Sequence, residues 1–328
     1  MGDMRSWCLA PPLLSATLAA GCCGASLSTA PAIQVGAEKP GAPIPGLAVC
    51  DRSSGGILHL APSRPLTLFV HGCKDSGGRF RELAQVFEAH GQQTACFNYD
   101  HRSSLERSSG ELVTTIEALK ARLPKGRVTV LAHSQGGLVA RRAFIRERED
   151  ALRHDDGWSY RLLTVSAPFG GIKASSDCRK TWLHVVTLGV TVAVCNLIAG
   201  SNWDEIPPGS GFMTRPGSLV PEVDAVLKVV TDERGACQSP DGACKSDFVF
   251  SVGEQQNAAV DGDKRLEAVE VRAGHVEIVG GDGKVPAKLI ALLQERGILA
   301  QTPPEKREEI ALLLRRIYAT PDDGNADE

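Results

Sequence analysis

A chain of 328 residues with 42% hydrophobic and 23% charged residues has the make-up of an ordinary globular protein, long enough to bury a substantial core in one large domain or two smaller ones. Its formal net charge of −3, without a long Lys/Arg block, excludes an electrostatic grip on nucleic acid. No internal repeat interrupts this picture.

Residues 1–22 read as an export signal: Arg5 precedes a small and apolar stretch from Trp7 to Ala20, followed by Gly21, Cys22 and Cys23. The run Leu18-Ala19-Ala20-Gly21-Cys22 resembles a bacterial lipobox, although Ala19 stands where such motifs carry Leu, Val or Ile. That resemblance implies lipidation of Cys22 and a membrane-anchored lipoprotein of the bacterial cell envelope. Cleavage nearby by a general signal peptidase, giving a secreted protein, or an apolar N-terminal anchor are the alternatives. Each places the domain outside the cytoplasm. The cysteines agree, because Cys50, Cys73, Cys96, Cys178, Cys195, Cys237 and Cys244 form no paired C-x-x-C metal pattern, so disulfides rather than a metal are expected. Cys237 with Cys244, and Cys178 with Cys195, are candidate pairs. Seven is odd, and spacing alone does not give the connectivity.

Residues 23–45 form a Pro/Ala/Gly-rich linker, and the folded body is expected over 46–300. Strands are expected at Leu66 to Val70, Thr94 to Tyr99, Arg127 to Ala132, Arg161 to Ser166, Phe248 to Val252 and Ala268 to Arg272. Between them lie amphipathic helices carrying Phe80, Leu83, Ala84 and Phe87, then Leu112, Ile116, Leu119 and Leu123, then Leu138 to Ile145, and finally Val285 to Arg296. Such alternation predicts an α/β fold, a mostly parallel central sheet with helices on both faces. Regularity breaks over about 172–246, which reads as an inserted lid or cap. Its apolar run from Trp182 to Gly200 approaches membrane-span length but holds His184 and Asn196, and reads as a buried or lipid-contacting lid helix. Over 301–328, a last amphipathic stretch with Ile310, Leu313, Leu314 and Ile317 should pack on the outside, before an acidic tail.

The most informative segment is Arg127-Val-Thr-Val-Leu-Ala-His-Ser134-Gln-Gly-Gly, a strand that runs straight into a turn and a helix. A serine at such a turn takes strained backbone angles, and small residues at Ala132, Gly136 and Gly137 let the neighbouring chain close around it. The following helix points its positive end at the serine, and the main-chain N–H of Gln135 can face a developing oxyanion. This segment resembles the nucleophile elbow of the α/β-hydrolase superfamily, and AHSQGG is similar to the GHSxGG form of bacterial lipases and esterases, with Ala132 in place of the first glycine. Over most of Leu66 to Arg296 the resemblance implies the α/β-hydrolase fold and Ser134 as nucleophile.

Other residues take their roles from the same resemblance. Leu68-Phe-Val-His71-Gly72-Cys73 resembles the HG turn that supplies the second oxyanion donor, here Cys73 or a close neighbour. Val271-Arg-Ala-Gly-His275 resembles the GH pair that carries the base, and a neutral imidazole there can take the Ser134 proton. The acid should lie between Ser134 and His275, in the loop after Phe248 to Val252. Asn257 occupies the position that aligns with the family aspartate. Glu254 is the first choice, Asp261 the second and Asp263 the third. Thr164-Val-Ser-Ala-Pro-Phe-Gly-Gly171, Asp204-Glu-Ile-Pro-Pro-Gly-Ser-Gly-Phe-Met213 and Asn98-Tyr-Asp100-His-Arg102 are similar to lipase "TPxGGS", "DLxPGSxFL" and "YDWR" segments.

The implied function is hydrolysis of a carboxylic ester, with an ester or lipid as substrate, through an acyl-serine intermediate and without cofactor or metal. An acyltransferase using the same three side chains, and a catalytically inactive binding protein of the cell envelope on this fold, are the alternatives.

Overall fold

The computed structural model describes residues 43–51, 58–62, 64–123, 125–152, 157–173, 205–234, 249–281 and 283–319. The export signal, Cys22, most of the linker, the apolar run from Trp182 and the two expected cysteine pairs lie outside them. So does most of the stretch read as a lid.

Among the described residues seven strands form one sheet in the order β1-β3-β2-β4-β5-β6-β7. They are β1 (Leu47–Ala48), β2 (Leu66–Val70), β3 (Gln93–Phe97), β4 (Arg127–His133), β5 (Ser159–Val165), β6 (Val223–Asp232) and β7 (Leu266–Arg272). Among these described strands only β1 runs antiparallel; the other strand pairings are parallel. The apolar run Leu66-Thr-Leu-Phe-Val is buried throughout, as a parallel strand covered on both faces must be. Alternation then divides the strands between two cores. Leu68, Val70, Val130, Ala132 and Leu162 face one; Phe69, Leu131, Leu163, Val165, Leu227 and Val229 face the other.

Helices cover each face. On the first lie α2 (Leu105–Lys120), capped by Ser104, and α3 (Gln135–Ala143), with Leu112, Ile116, Leu138 and Val139 buried against the sheet. On the second lie α1 (Arg81–Ala89), α6 (Ala287–Glu295) and α7 (Arg307–Tyr318), through Leu83, Phe87, Leu289, Leu293 and Ile317. Two single-turn helices, α4 (Gly211–Thr214) and α5 (Ala258–Asp261), sit in the connections around β6. The C-terminal amphipathic stretch thus belongs to the core: α7 packs on α1 and buries Ile310, Ile317 and Tyr318. Cys50 and Cys96 form a disulfide that ties the entry segment to β3. Among the described residues no helix is long and apolar enough to cross a membrane.

One expectation about the sheet fails. The strand expected at Phe248 to Val252 is not found: its described residues, 249–252, are the approach to a 3-10 turn at Val252–Gln255, and the strand beside β5 is β6, inside the stretch read as a lid. Asp224, Lys228 and Asp232 break the apolar pattern of β6 and hide it. Lys228 is nevertheless buried, its ammonium bonded to Asp261 and lying over the Phe169 ring.

The register places the working edge. Val70 pairs with Ala132, His133 with Val165, Val165 with Val229, and Asp232 with Arg272, so the carboxyl ends of β2, β4, β5, β6 and β7 share one side of the sheet. The chain order reverses between β2 and β4, with β3 outside β2 and β5 to β7 beyond β4. Ligands of open α/β sheets bind at such a switch point, outside the carboxyl ends.

Candidate active site

The turn between β4 and α3 holds Ser134 at φ 55° and ψ −128°, a backbone state that L-residues avoid. Its N–H donates to the Val165 carbonyl at 2.9 Å, and its own carbonyl accepts from Gly137. The glycines are required by contact: a Cβ on Gly136 would stand 2.3 Å from the His71 carbonyl oxygen, and one on Gly137 would stand 2.5 Å from the Ala167 Cβ. Ser134 sits at the start of α3, whose unbonded N–H groups and dipole favour negative charge there.

The turn after β2 closes on the same serine. A Cβ on Gly72 would come within 3.0 Å of the Ser134 Cβ, so the main chain at Gly72 packs directly against it. Cys73 and Gln135, read from sequence as the oxyanion donors, each follow one member of this touching pair. The Gln135 side chain donates to the His101 carbonyl, leaving its main-chain N–H to α3's open first turn. Burial pushes the Cys73 thiol up to about 11, which keeps it protonated at neutral pH. His71 braces the turn: Nδ1–H donates to the Gly72 carbonyl at 2.8 Å and Nε2 accepts from the Tyr99 N–H at 3.3 Å. The second bond needs a neutral ring, because a protonated Nε2 cannot accept, and burial lowers the His71 pKa to about 4.

His275 lies past the end of β7 and is 3% exposed. Its carbonyl accepts from Nε2–H of His133, the residue before Ser134, at 2.9 Å, and the two rings lie 4.7 Å apart. Phe250 packs edge-on against the imidazole at 4.8 Å. The base read from sequence is therefore fastened to the elbow through its main chain.

The carboxylate at His275 is Glu233, at the end of β6, with Oε1 3.0 Å from Nδ1. It is 2% exposed. Its other oxygen accepts from the N–H groups of Val249 and Phe250. Burial pushes the Glu233 carboxyl upward, but the hydrogen bond and charge of His275 and the two amides outweigh it and hold the carboxyl below its ordinary range. With an ionised acceptor at Nδ1, the imidazole proton sits there, and Nε2 keeps the lone pair that a base needs.

None of the carboxylates read from sequence reaches His275. Glu254 closes a capping box on Ser251 and accepts from the Lys173 N–H; Asp261 pairs with Lys228, and Asp263 with Arg265. Asn257, the position aligned with the family aspartate, caps α5 and donates to the Phe169 carbonyl. The carboxylate missed in the sequence follows the missed strand: Val229-Val-Thr-Asp-Glu233 has a β-rich run ending in carboxylates, legible only once Lys228 is allowed to be buried.

No family model and no curated protein sequence matches the chain. Among solved structures it resembles the Bacillus licheniformis lipase BlEst2 in mature form, with a TM-score of 0.53 and 13% identity over 76% of this chain and 97% of that one. The propeptide form of the same lipase gives a TM-score of 0.51 and 14% identity over 74% of this chain and 52% of that one. The Pyrococcus furiosus esterase Pf2001 matches at a TM-score of 0.42 with 14% identity, over 77% of this chain and 81% of that one. With the sheet order and elbow described above, the chain has the α/β-hydrolase fold.

Proposed function

We propose that this protein is a serine hydrolase of carboxylic esters, lipase- or esterase-like, acting outside the cytoplasm. The observation that carries the reading is a buried carboxylate and imidazole, Glu233 and His275, fastened through His133 to a serine in a strained strand-to-helix turn.

In this reading the Ser134 hydroxyl attacks the ester carbonyl carbon while Nε2 of His275 takes its proton. The carbonyl oxygen becomes an oxyanion held by the main-chain N–H groups of Cys73 and Gln135, where one such donor contributes about 3 kcal/mol. Collapse breaks the bond to the leaving alcohol, which receives the proton from Nε2, and Ser134 is left acylated. Water then repeats the sequence, losing a proton to His275 and releasing the acid. Glu233 keeps its charge throughout and stabilises the imidazolium. The disulfide between Cys50 and Cys96 supports export to an oxidising compartment.

The test is a fluorophosphonate probe together with a short-chain p-nitrophenyl ester. Wild-type protein should be labelled at Ser134 and turn over the ester. Ser134→Ala should fold, lose labelling, and lose at least about 10⁴-fold in kcat, the scale on which triad serines act. Hydrolysis retained by Ser134→Ala, or a folded wild-type protein that takes no label, would defeat the proposal.

A further inference from the structure

Three non-glycine residues among those described have positive φ: Lys74 at 54°, Ser134 at 55° and Ser166 at 51°. Each follows a neighbouring strand, β2, β4 and β5, at the carboxyl edge. Lys74 and Ser134 belong to the two turns that meet at the elbow. Ser166 has no part in the chemistry above, although it is fully buried and held where glycine would be relaxed and serine is not.

Its hydroxyl lies at the centre of the polar cluster under His275. Oγ is 2.8 Å from His275 Nδ1, 2.9 Å from Glu233 Oε1 and 2.6 Å from Thr231 Oγ1. Thr231 is also 3.0 Å from the same Glu233 oxygen, and its main chain is gripped in both directions by the Gln255 amide. One assignment of hydrogens serves every group. The Nδ1–H is shared between Ser166 Oγ and Glu233 Oε1, the Ser166 O–H donates to Glu233, and the Thr231 O–H is shared between Ser166 Oγ and Glu233 Oε1.

We propose that Ser166 is a positioning residue for His275, a hydroxyl bridge that orients the imidazole jointly with Glu233; this rests on the reading of Ser134, His275 and Glu233 as a triad. When Ser134 gives its proton to Nε2, its O–H bond breaks, an N–H bond forms, and the ring gains a positive charge. Two oxygens then already face Nδ1, so the charge is received without movement of the carboxylate and the Nδ1 proton stays in place. The strained backbone at Ser166 is what sets its Oγ in line with the ring. Its own N–H is fixed by the Val229 carbonyl, and the preceding carbonyl, that of Val165, holds the Ser134 N–H.

The experiment uses Ser166→Gly and Ser166→Ala on the full chain. Both lose the hydroxyl, but only glycine relieves the backbone. Each should lower kcat for the p-nitrophenyl ester about tenfold with KM within about twofold, as expected for an interaction that matters in the transition state. In a Glu233→Gln background the new amide can donate to Nδ1 and favour the wrong tautomer, so the bridge loses its purpose. Adding Ser166→Gly there should cost less than about threefold more. Wild-type kcat in Ser166→Gly, or a tenfold loss in both backgrounds, would overturn the proposal. Ser134→Ala separates the two readings: if that variant is active the triad itself fails, whereas an inactive Ser134→Ala beside a fully active Ser166→Gly removes only the bridge.

Discussion

The carboxyl ends of β4 and β6 carry the two halves of the candidate site, and they constrain the sequence in opposite ways. At β4 the main chain dictates residue types over several consecutive positions. Gly136 and Gly137 have no room for a Cβ, and Ser134 occupies a backbone state that only the turn enforces. At β6 the requirement is a single carboxylate within reach of Nδ1, and it places no demand on the residues beside it. Glu233 is recognisable by its partners, His275, Ser166, Val249 and Phe250, which lie 16 to 67 positions away along the chain. A backbone constraint is written locally, whereas a charge partner is written in the tertiary fold.

The largest effect that tests this contrast comes from Glu233. Glu233→Gln preserves shape and removes the charge that accepts the Nδ1–H hydrogen bond and stabilises the imidazolium. It should lower kcat by at least about 10³-fold with the protein still folded, given the size of triad-acid effects on other scaffolds. Single-turnover acylation, followed by release of p-nitrophenol, measures it directly. A loss under tenfold would mean that another group orients His275 during turnover.

The same contrast explains what the sequence revealed. The helices α1, α2, α3 and α6 and the strands β2 and β4 to within a residue were readable, because each buries one regular stripe or run against a neighbour. Ser134 and His275 stood out by motif, and the structure adds a chain of bonds between them through His133. β6 was not readable. Lys228 looks like a surface residue, and only the fold supplies Asp261 and the Phe169 face that make its burial tolerable. With β6 hidden inside the stretch that reads as an insertion, the next apolar run in the sequence is Phe248 to Val252, and the carboxylates that follow it are Glu254, Asp261 and Asp263. Ser166 gave no sign because its role comes from a positive φ and from contacts with Glu233 and His275.

The two edges should also fail in different pH ranges. His71 and His133 brace the β2 and β4 turns as neutral, buried rings; burial is the main cause that lowers both, His71 to about 4 and His133 well below 6.5. The unfolded chain therefore binds protons at these histidines before the folded one does. Their contribution to stability is complete above about 6.5 and declines as pH falls, with His71 alone losing about 3 kcal/mol by pH 4. Glu233, also depressed, keeps its full contribution above the ordinary glutamate range and loses it only as pH falls through its folded pKa. Urea unfolding at a series of pH values should show decline beginning near pH 6.5 in the wild type, with a shallower slope in His71→Gln. An unchanged slope in that variant would place the acid sensitivity elsewhere.

The smallest expected effect is at Glu254. Its carboxylate sits close in sequence to Phe250, which packs on His275, so proximity alone would make it a plausible triad member. Its bonds assign it elsewhere. One oxygen accepts from the Ser251 N–H and hydroxyl, completing a capping box at Val252–Gln255, and the other accepts from the Lys173 N–H. Glu254→Gln keeps the length and an acceptor oxygen, so the cap should weaken by about 1 kcal/mol or less, the usual scale for an N-terminal cap. Because no bond connects Glu254 to Glu233 or His275, kcat should stay within about threefold of wild type. A hundredfold loss of kcat at unchanged stability would show that Glu254, not Glu233, serves His275 during turnover, and the distinction between the two strand ends would fall with it.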